Sequence, residues 1–352
     1  MSLGTGLAFI GITLGWFLLP LLPAILELFR PSDVTPLRVV PRDAGDVAFL
    51  AKGFRHYLGR QMDLLPSATP ADFLGRLPDG THFARVKAGP SVLRPGDNGA
   101  VQERVVRVDA PIALAGDQTF LQEVHATEDF AGGPRSVYRA LLGERRVTLG
   151  ERSRVLRWVH AGGPLSVGAH SVLQGRVSSD QSVVVGQDVE FDRIGAPEIR
   201  TAGPTAPPGT APTTIWELPK GARKIGDHHR IDGNLEIGPG VRVGGSLVVA
   251  GRLVIREGAE VRGSVKAHGD VTVERGAAIR GSLVGQGDLV IGPAVEVLGP
   301  VIGEGAVSLG DGCTVGRLDA QTTVAAGSLR VGHGVAVFGQ LIARDGGKTT
   351  DN

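Results

Sequence analysis

Residues 263–283 read GSVKAHGDVTVERGAAIRGSL, and their spacing decides the fold. Apolar or small residues fall in pairs two apart: Val265/Ala267, Val271/Val273 and Ala277/Ile279. Residues two apart point to the same side of an extended strand. The pairs step by six, and between them stand corner-turning residues such as Gly269, Asp270 and Gly276. The same stepping runs from Leu235/Ile237 to Cys313/Val315, and in another phase from Val147/Leu149 to Val189/Phe191.

Three hexads make a larger unit of 18. VGGSLVVAGRLVIREGAE from Val243, VRGSVKAHGDVTVERGAA from Val261, IRGSLVGQGDLVIGPAVE from Ile279 and VLGPVIGEGAVSLGDGCT from Val297 align. The third side of each unit carries Ala259, Ala277, Val295 and Cys313, mostly smaller residues. The repeat is therefore one coil with three sides, and the expected fold class is an all-β triangular β-helix. One coil places about six modest apolar side chains inside, for on the order of 10 kcal/mol of burial. Ordering its residues costs more, at roughly 1–2 kcal/mol of backbone entropy each. A lone coil cannot stand, and stacking supplies the difference. Some eight coils, about 4.8 Å apart, give a rod roughly 40 Å long.

Composition agrees with such a body. The chain has 352 residues, with 53 glycines and only 5% aromatics, so its core is built from Val, Leu, Ile and Ala. A net charge of +1 gives no reason to expect a polyanion partner from bulk charge. The lone cysteine, Cys313, excludes an intramolecular disulfide.

The N-terminus differs. Leu3–Phe29 is mostly apolar with one charge, Glu27, is long enough to cross a bilayer, and lacks a basic leader and a small-x-small cleavage site. It is expected to be a retained anchor over 1–30, with Phe9, Trp16, Phe17 and Leu18 in lipid. No Lys or Arg precedes it, whereas Arg30, Arg38 and Arg42 follow. That asymmetry places a single-pass protein in the cytoplasmic membrane with its C-terminal body in the cytoplasm.

Residues 31–146 read as a mixed α/β juxtamembrane region. Asp43–Leu65 carries Val47, Leu50, Phe54, Tyr57, Leu58 and Met62 at helical spacing, with Asp43 as a start signal. Lys52, Arg55 and Arg60 fall on its polar side, which suits either anionic headgroups or an ordinary helix packed on its own domain. VVRVDAPIALAG reads as strands and turns. The first coils are expected over 147–200, a Pro-rich insertion over 201–228, the main β-helix over 229–345 and a disordered tail over 346–352.

An end coil exposes unpaired backbone groups and an open core. The N-terminal end has residues 31–146 to cover it, whereas the C-terminal end looks bare. Val335, Val337, Phe338 and Leu341 are therefore the expected self-assembly surface. Phe338, the only aromatic after Trp216, either glues ends together or plugs its own coil.

The coils from Leu235 to Ile342 resemble the bactofilins, polymer-forming bacterial cytoskeletal proteins. The units of the VRGSVKAHGDVTVERGAA type carry the resemblance, with Gly263 and Gly269 at corners and ERGAAIRG closing the coil. It implies a right-handed β-helix that polymerises without nucleotide, sits on the inner face of the membrane and scaffolds cell-shape or cell-envelope machinery. Expected partners are other copies of the chain, membrane lipid and cell-envelope proteins. The long N-terminal region and the proline-rich interruption depart from the family, and a sealed N-terminal end would restrict assembly to C-end dimers.

A hexapeptide-repeat acyltransferase, a left-handed β-helix, is the rival. That family wants a small residue two before each main apolar position, where this chain has Leu247, Leu253, Val265, Val271, Leu283 and Leu289. It also needs a base. His228, His229, His268 and His333 are the candidates, and no acidic partner has an evident place beside them. No phosphate loop, metal-ligand spacing or aromatic platform for nucleic acid stands out. Neither enzyme activity nor a cofactor is expected.

Overall fold

A computed structural model describes residues 46–66, 70–87, 100–204, 214–215, 222–226 and 228–350, together with Gly4, Phe9, Thr13 and Trp16. The chain divides into two compact units, Met1–Asp46 and Val47–Asn352. In the first, the four described residues are helical, and Thr13 donates to the Phe9 carbonyl. The rest of the expected anchor, including Phe17 and Leu18, lies outside the described residues. Among the described residues no helix is long and apolar enough to cross a membrane.

The second unit is a β-solenoid of about 13 turns. Its strands pair in parallel with the strand one coil on, as in Leu253↔Val271↔Leu289↔Val307. Three such ladders form three walls. The period-six spacing marks the inward residues well: of those pairs only Val241, in the first coil of the second stretch, is not buried.

Coil corners explain the glycines. Gly240, Gly258, Gly276, Gly312 and Gly334 share one corner column and one left-handed backbone conformation. Ala294 fills the same place at φ 58°, and Asp117, Arg135, Arg152, His170 and Asp188 fill it in the earlier coils. The amide at each corner donates to the next coil, as from Gly258 to the Arg275 carbonyl.

Three expected boundaries change. The coils begin upstream of Val147: His82–Val86, Val105–Val108, Gln118–Ala126 and Val137–Gly143 already stack in parallel beneath Arg154–Ala161. Their composition hid this, because Phe120, Phe130 and Tyr138 replace the small aliphatics and the coil spacing is irregular. Residues 346–349 are not a disordered tail but the end of the strand Ala336–Thr349. The solenoid is also not one stack but two arms, one ending at Thr201 and the other at Thr349.

The arms meet at their C-terminal ends. The last strand of the first arm, Glu190–Thr201, pairs antiparallel with Ala336–Thr349. All three walls join: Phe191↔Gly347, Ile194↔Leu341 and Ile199↔Val337. Parallel stacking within each arm and antiparallel pairing between them make a continuous rod of roughly 60 Å at about 4.8 Å per turn.

The helix Phe49–Asp63 lies along one wall of the first arm. Val47 sits over Gly195, where a Cβ would come within 2.7 Å of it. Ala51 packs with Ala140, Leu142 and Trp158, and Leu58 with Leu77, Phe83 and Val105. The helix therefore runs from the joint back to the first coils, and the expected apolar stripe is what it buries.

Candidate functional site

For a repeat body the functional surfaces are its ends, its joint and its walls. The joint comes first, because it holds the residues expected to be sticky. Val335, Val337 and Leu341 are each 1% exposed. Leu341 pairs with Ile194, Val337 with Ile199, and the Val335 carbonyl accepts from Thr201 N–H. Phe338 is half-buried, opposite the bulge between Ala196 and Ile199. The first arm of the same chain thus seals this end, and these residues form an internal joint rather than an open surface. Nothing in the local sequence signals it, since the partners lie some 150 residues away and bond mainly through backbone.

The rod's free ends are therefore the two arm starts. At the second arm, Arg223–Ile225 turns back antiparallel on His228–Ile231, and Thr214–Ile215 runs beside Val241–Val243. Leu235–Ile237 pairs on one side only among the described residues. At the first arm, Phe73–Arg76 covers His82–Val86, while Ala100–Gln102 and Ile112–Ala113 pair on one side only among the described residues. Val101 is 47% exposed there.

A polar cluster that sequence reading missed lies beneath the helix. Arg55 grips Glu144 with two hydrogen bonds of 2.9 and 2.8 Å, and His125 Nε2 lies 2.9 Å from the same carboxylate. The His125 hydrogen bond, followed by Arg55, pulls the Glu144 carboxyl down to about 2 against the opposing effect of its burial. One coil on, His160 is 1% exposed and its Nδ1 lies 2.9 Å from Ser178 Oγ, with the Asp180 carboxylate 3.7 Å from Nε2. Burial lowers the His160 pKa, opposed by Asp180. The types echo a nucleophilic triad, but Ser178 is buried, 4% exposed. The cluster seats the helix.

No protein-family model, curated protein or solved structure matches the chain.

The remaining chemical candidates are scattered. His268 Nδ1 faces Gln286 at 2.7 Å on the exposed surface, His229 Nε2 faces the Gly244 carbonyl, and His333 stands beside Gly203 at the joint corner. The structure brings no two of the expected histidines except neighbours His228 and His229 together. Cys313 is buried, with Sγ 3.0 Å from the Gly292 carbonyl, and burial pushes its thiol to about 11. Among the described residues no group of His, Cys, Asp and Glu is placed to hold a metal ion. On the wall beyond, Arg242, Glu260, Arg280 and Glu296 form a ladder of ion pairs between 2.6 and 3.1 Å. It ties successive coils together through their outer side chains.

Phe9 and Trp16 of the expected anchor are 70% and 78% exposed.

Proposed function

We propose that this chain is a structural scaffold of bactofilin type, tethered to the inner face of the cytoplasmic membrane through segment 3–29. It assembles with other copies through the starts of its arms and recruits cell-envelope partners. The observation that carries this reading is the joint: with both C-terminal ends sealed against each other, the coil ends left on the rod are the arm starts, and among the described residues each retains a strand paired on one side only. Such edges add strands. The exposed rings of Phe9 and Trp16 on helical backbone support the tether.

The test is electron microscopy and light scattering of the full chain in lipid nanodiscs and detergent, over a range of concentrations. End-to-end pairs or longer rods are expected, and Val101→Lys together with Glu236→Pro should shorten them. Single copies at every concentration in both media would refute assembly. Fractionation of cells expressing the full chain tests the tether, which predicts recovery with the membrane after a high-salt wash.

A further inference from the structure

The body of the protein begins in the middle of the rod. Val47 lies over Gly195, and Gly195 pairs with Gln340 across the joint. From there the helix Phe49–Asp63 follows one wall of the first arm. Its exposed residues are Phe49, Lys52, Gly53, His56, Arg60 and Asp63. Lys52, His56 and Arg60 recur every four residues and so form one stripe. Phe49, 42% exposed, precedes the stripe and Leu64, 67% exposed, follows it.

The wall beneath the helix continues into the second arm, because Arg193–Ala196 pairs with Gly339–Ile342. There its outward residues are Val248, Lys266, Val284 and Ile302, flanked by buried neighbours. Lys266 is exposed and Ile302 is 41% exposed. One side of the rod thus combines a cationic stripe with scattered apolar side chains. Val47, the first residue of the body, lies on this same side, at mid-length.

We infer that this side is where the rod lies flat on an anionic bilayer, with the tether at its waist and both arm starts pointing along the membrane plane. The inference rests on the proposed tether and names the face that the tether presents. A cationic stripe on an amphipathic helix, with flanking apolar residues, suits the headgroup layer. Waist attachment also keeps the arm starts free, which a tether at either end would not.

The experiment uses the full chain in nanodiscs of phosphatidylcholine alone or mixed with phosphatidylglycerol, the lipids carrying a nitroxide quencher. A fluorophore is placed through His56→Cys on the helix stripe or Arg330→Cys on another wall. Native Cys313 is fully buried and does not compete. The expected result is quenching at position 56 severalfold above that at 330 in the anionic discs. The difference should collapse in neutral discs, in about 0.5 M salt, and in Lys52→Glu/Arg60→Glu. Equal quenching at both positions, or a preference indifferent to charge, overturns the assignment while leaving the tether intact. A chain that never enters discs of either kind overturns the tether, and this inference with it.

Discussion

Thr201 and Thr349 hold equivalent places on opposite sides of the joint. Thr201 Oγ1 donates to the Gly332 carbonyl at 2.7 Å and accepts from Val335 N–H at 2.9 Å. Thr349 Oγ1 donates to the Gly186 carbonyl at 2.9 Å and accepts from Val189 N–H at 2.8 Å. Their backbone amides donate to the same two valines, at 3.0 and 2.9 Å. Within the first arm Ser171 does the same for Ser153 N–H. Each threonine therefore stands in for the hydroxyl of a coil that does not exist. Thr201→Val and Thr349→Val keep the shape and strand a buried amide and carbonyl, so each should cost about 1–3 kcal/mol in urea unfolding. Thr272→Val, on an outer wall, should stay within about 0.5 kcal/mol. Equal effects at all three sites would mean the joint is not closed as described.

Phe191 and Gly347 fit as a ring and a gap. A Cβ on Gly347 would lie 2.5 Å from the ring of Phe191. Gly347→Ala should therefore destabilise by about 1–3 kcal/mol, by overpacking. Phe191→Leu should recover part of that loss in the double variant. Strict additivity of the two substitutions in a thermal unfolding cycle would count against contact between them.

The linker between the arms has a minimum length. Gly334 N–H donates to the Ala202 carbonyl, and Thr214 N–H donates to the Gly240 carbonyl. From Gly334 to Gly240 the corner column descends five coil rises, about 24 Å. The chain from 202 to 214 can reach roughly 40 Å, but after deletion of 206–211 only about 20 Å. Such a variant cannot close on itself, and light scattering should find dimers in which each first arm seats on the other copy's second arm. A folded monomer would show that the joint forms some other way.

Stability should depend on pH through His160. Burial, opposed by Asp180, holds its folded pKa below the ordinary value of 6.5. The unfolded chain then takes up the proton first as pH falls. The contribution of His160 is complete above about 6.5 and is lost below that value. Glu144 acts lower: its contribution is present above 4.5 and is lost as pH falls toward about 2. Urea midpoints for His160→Asn should therefore fall less than wild-type midpoints between about pH 7.5 and 5. Parallel curves would assign the dependence elsewhere.

Within the second arm, Ala294 alone carries a side chain in the corner column otherwise filled by Gly240, Gly258, Gly276, Gly312 and Gly334, at φ 58°. The left-handed conformation costs an L-residue roughly 1–2 kcal/mol. Ala294→Gly should stabilise the rod by about 1 kcal/mol, and Gly276→Ala should destabilise it by a similar amount. Thermal unfolding of both variants checks the sign.

The sequence by itself determined the wall. A strand's two-residue alternation and a coil of 18 residues leave a direct imprint, because each inward position meets the same apolar neighbours above and below. Residues such as Leu253, Val271 and Leu289 could be assigned inward for that reason, and the helix around Leu58 by its own period. The coils at Phe120 and Tyr138 were missed because large rings and uneven spacing blur that imprint. Only the tertiary structure decided that Glu190–Thr201 runs antiparallel to Ala336–Thr349, and hence that Val337 and Leu341 are sealed rather than sticky. Backbone groups make most of that joint, and backbone groups are the same in every residue, so no local pattern records which distant strand will meet them. The Arg55–Glu144–His125 seat under the helix escaped for the same reason: its members are far apart in the chain and meet only once the coils have stacked.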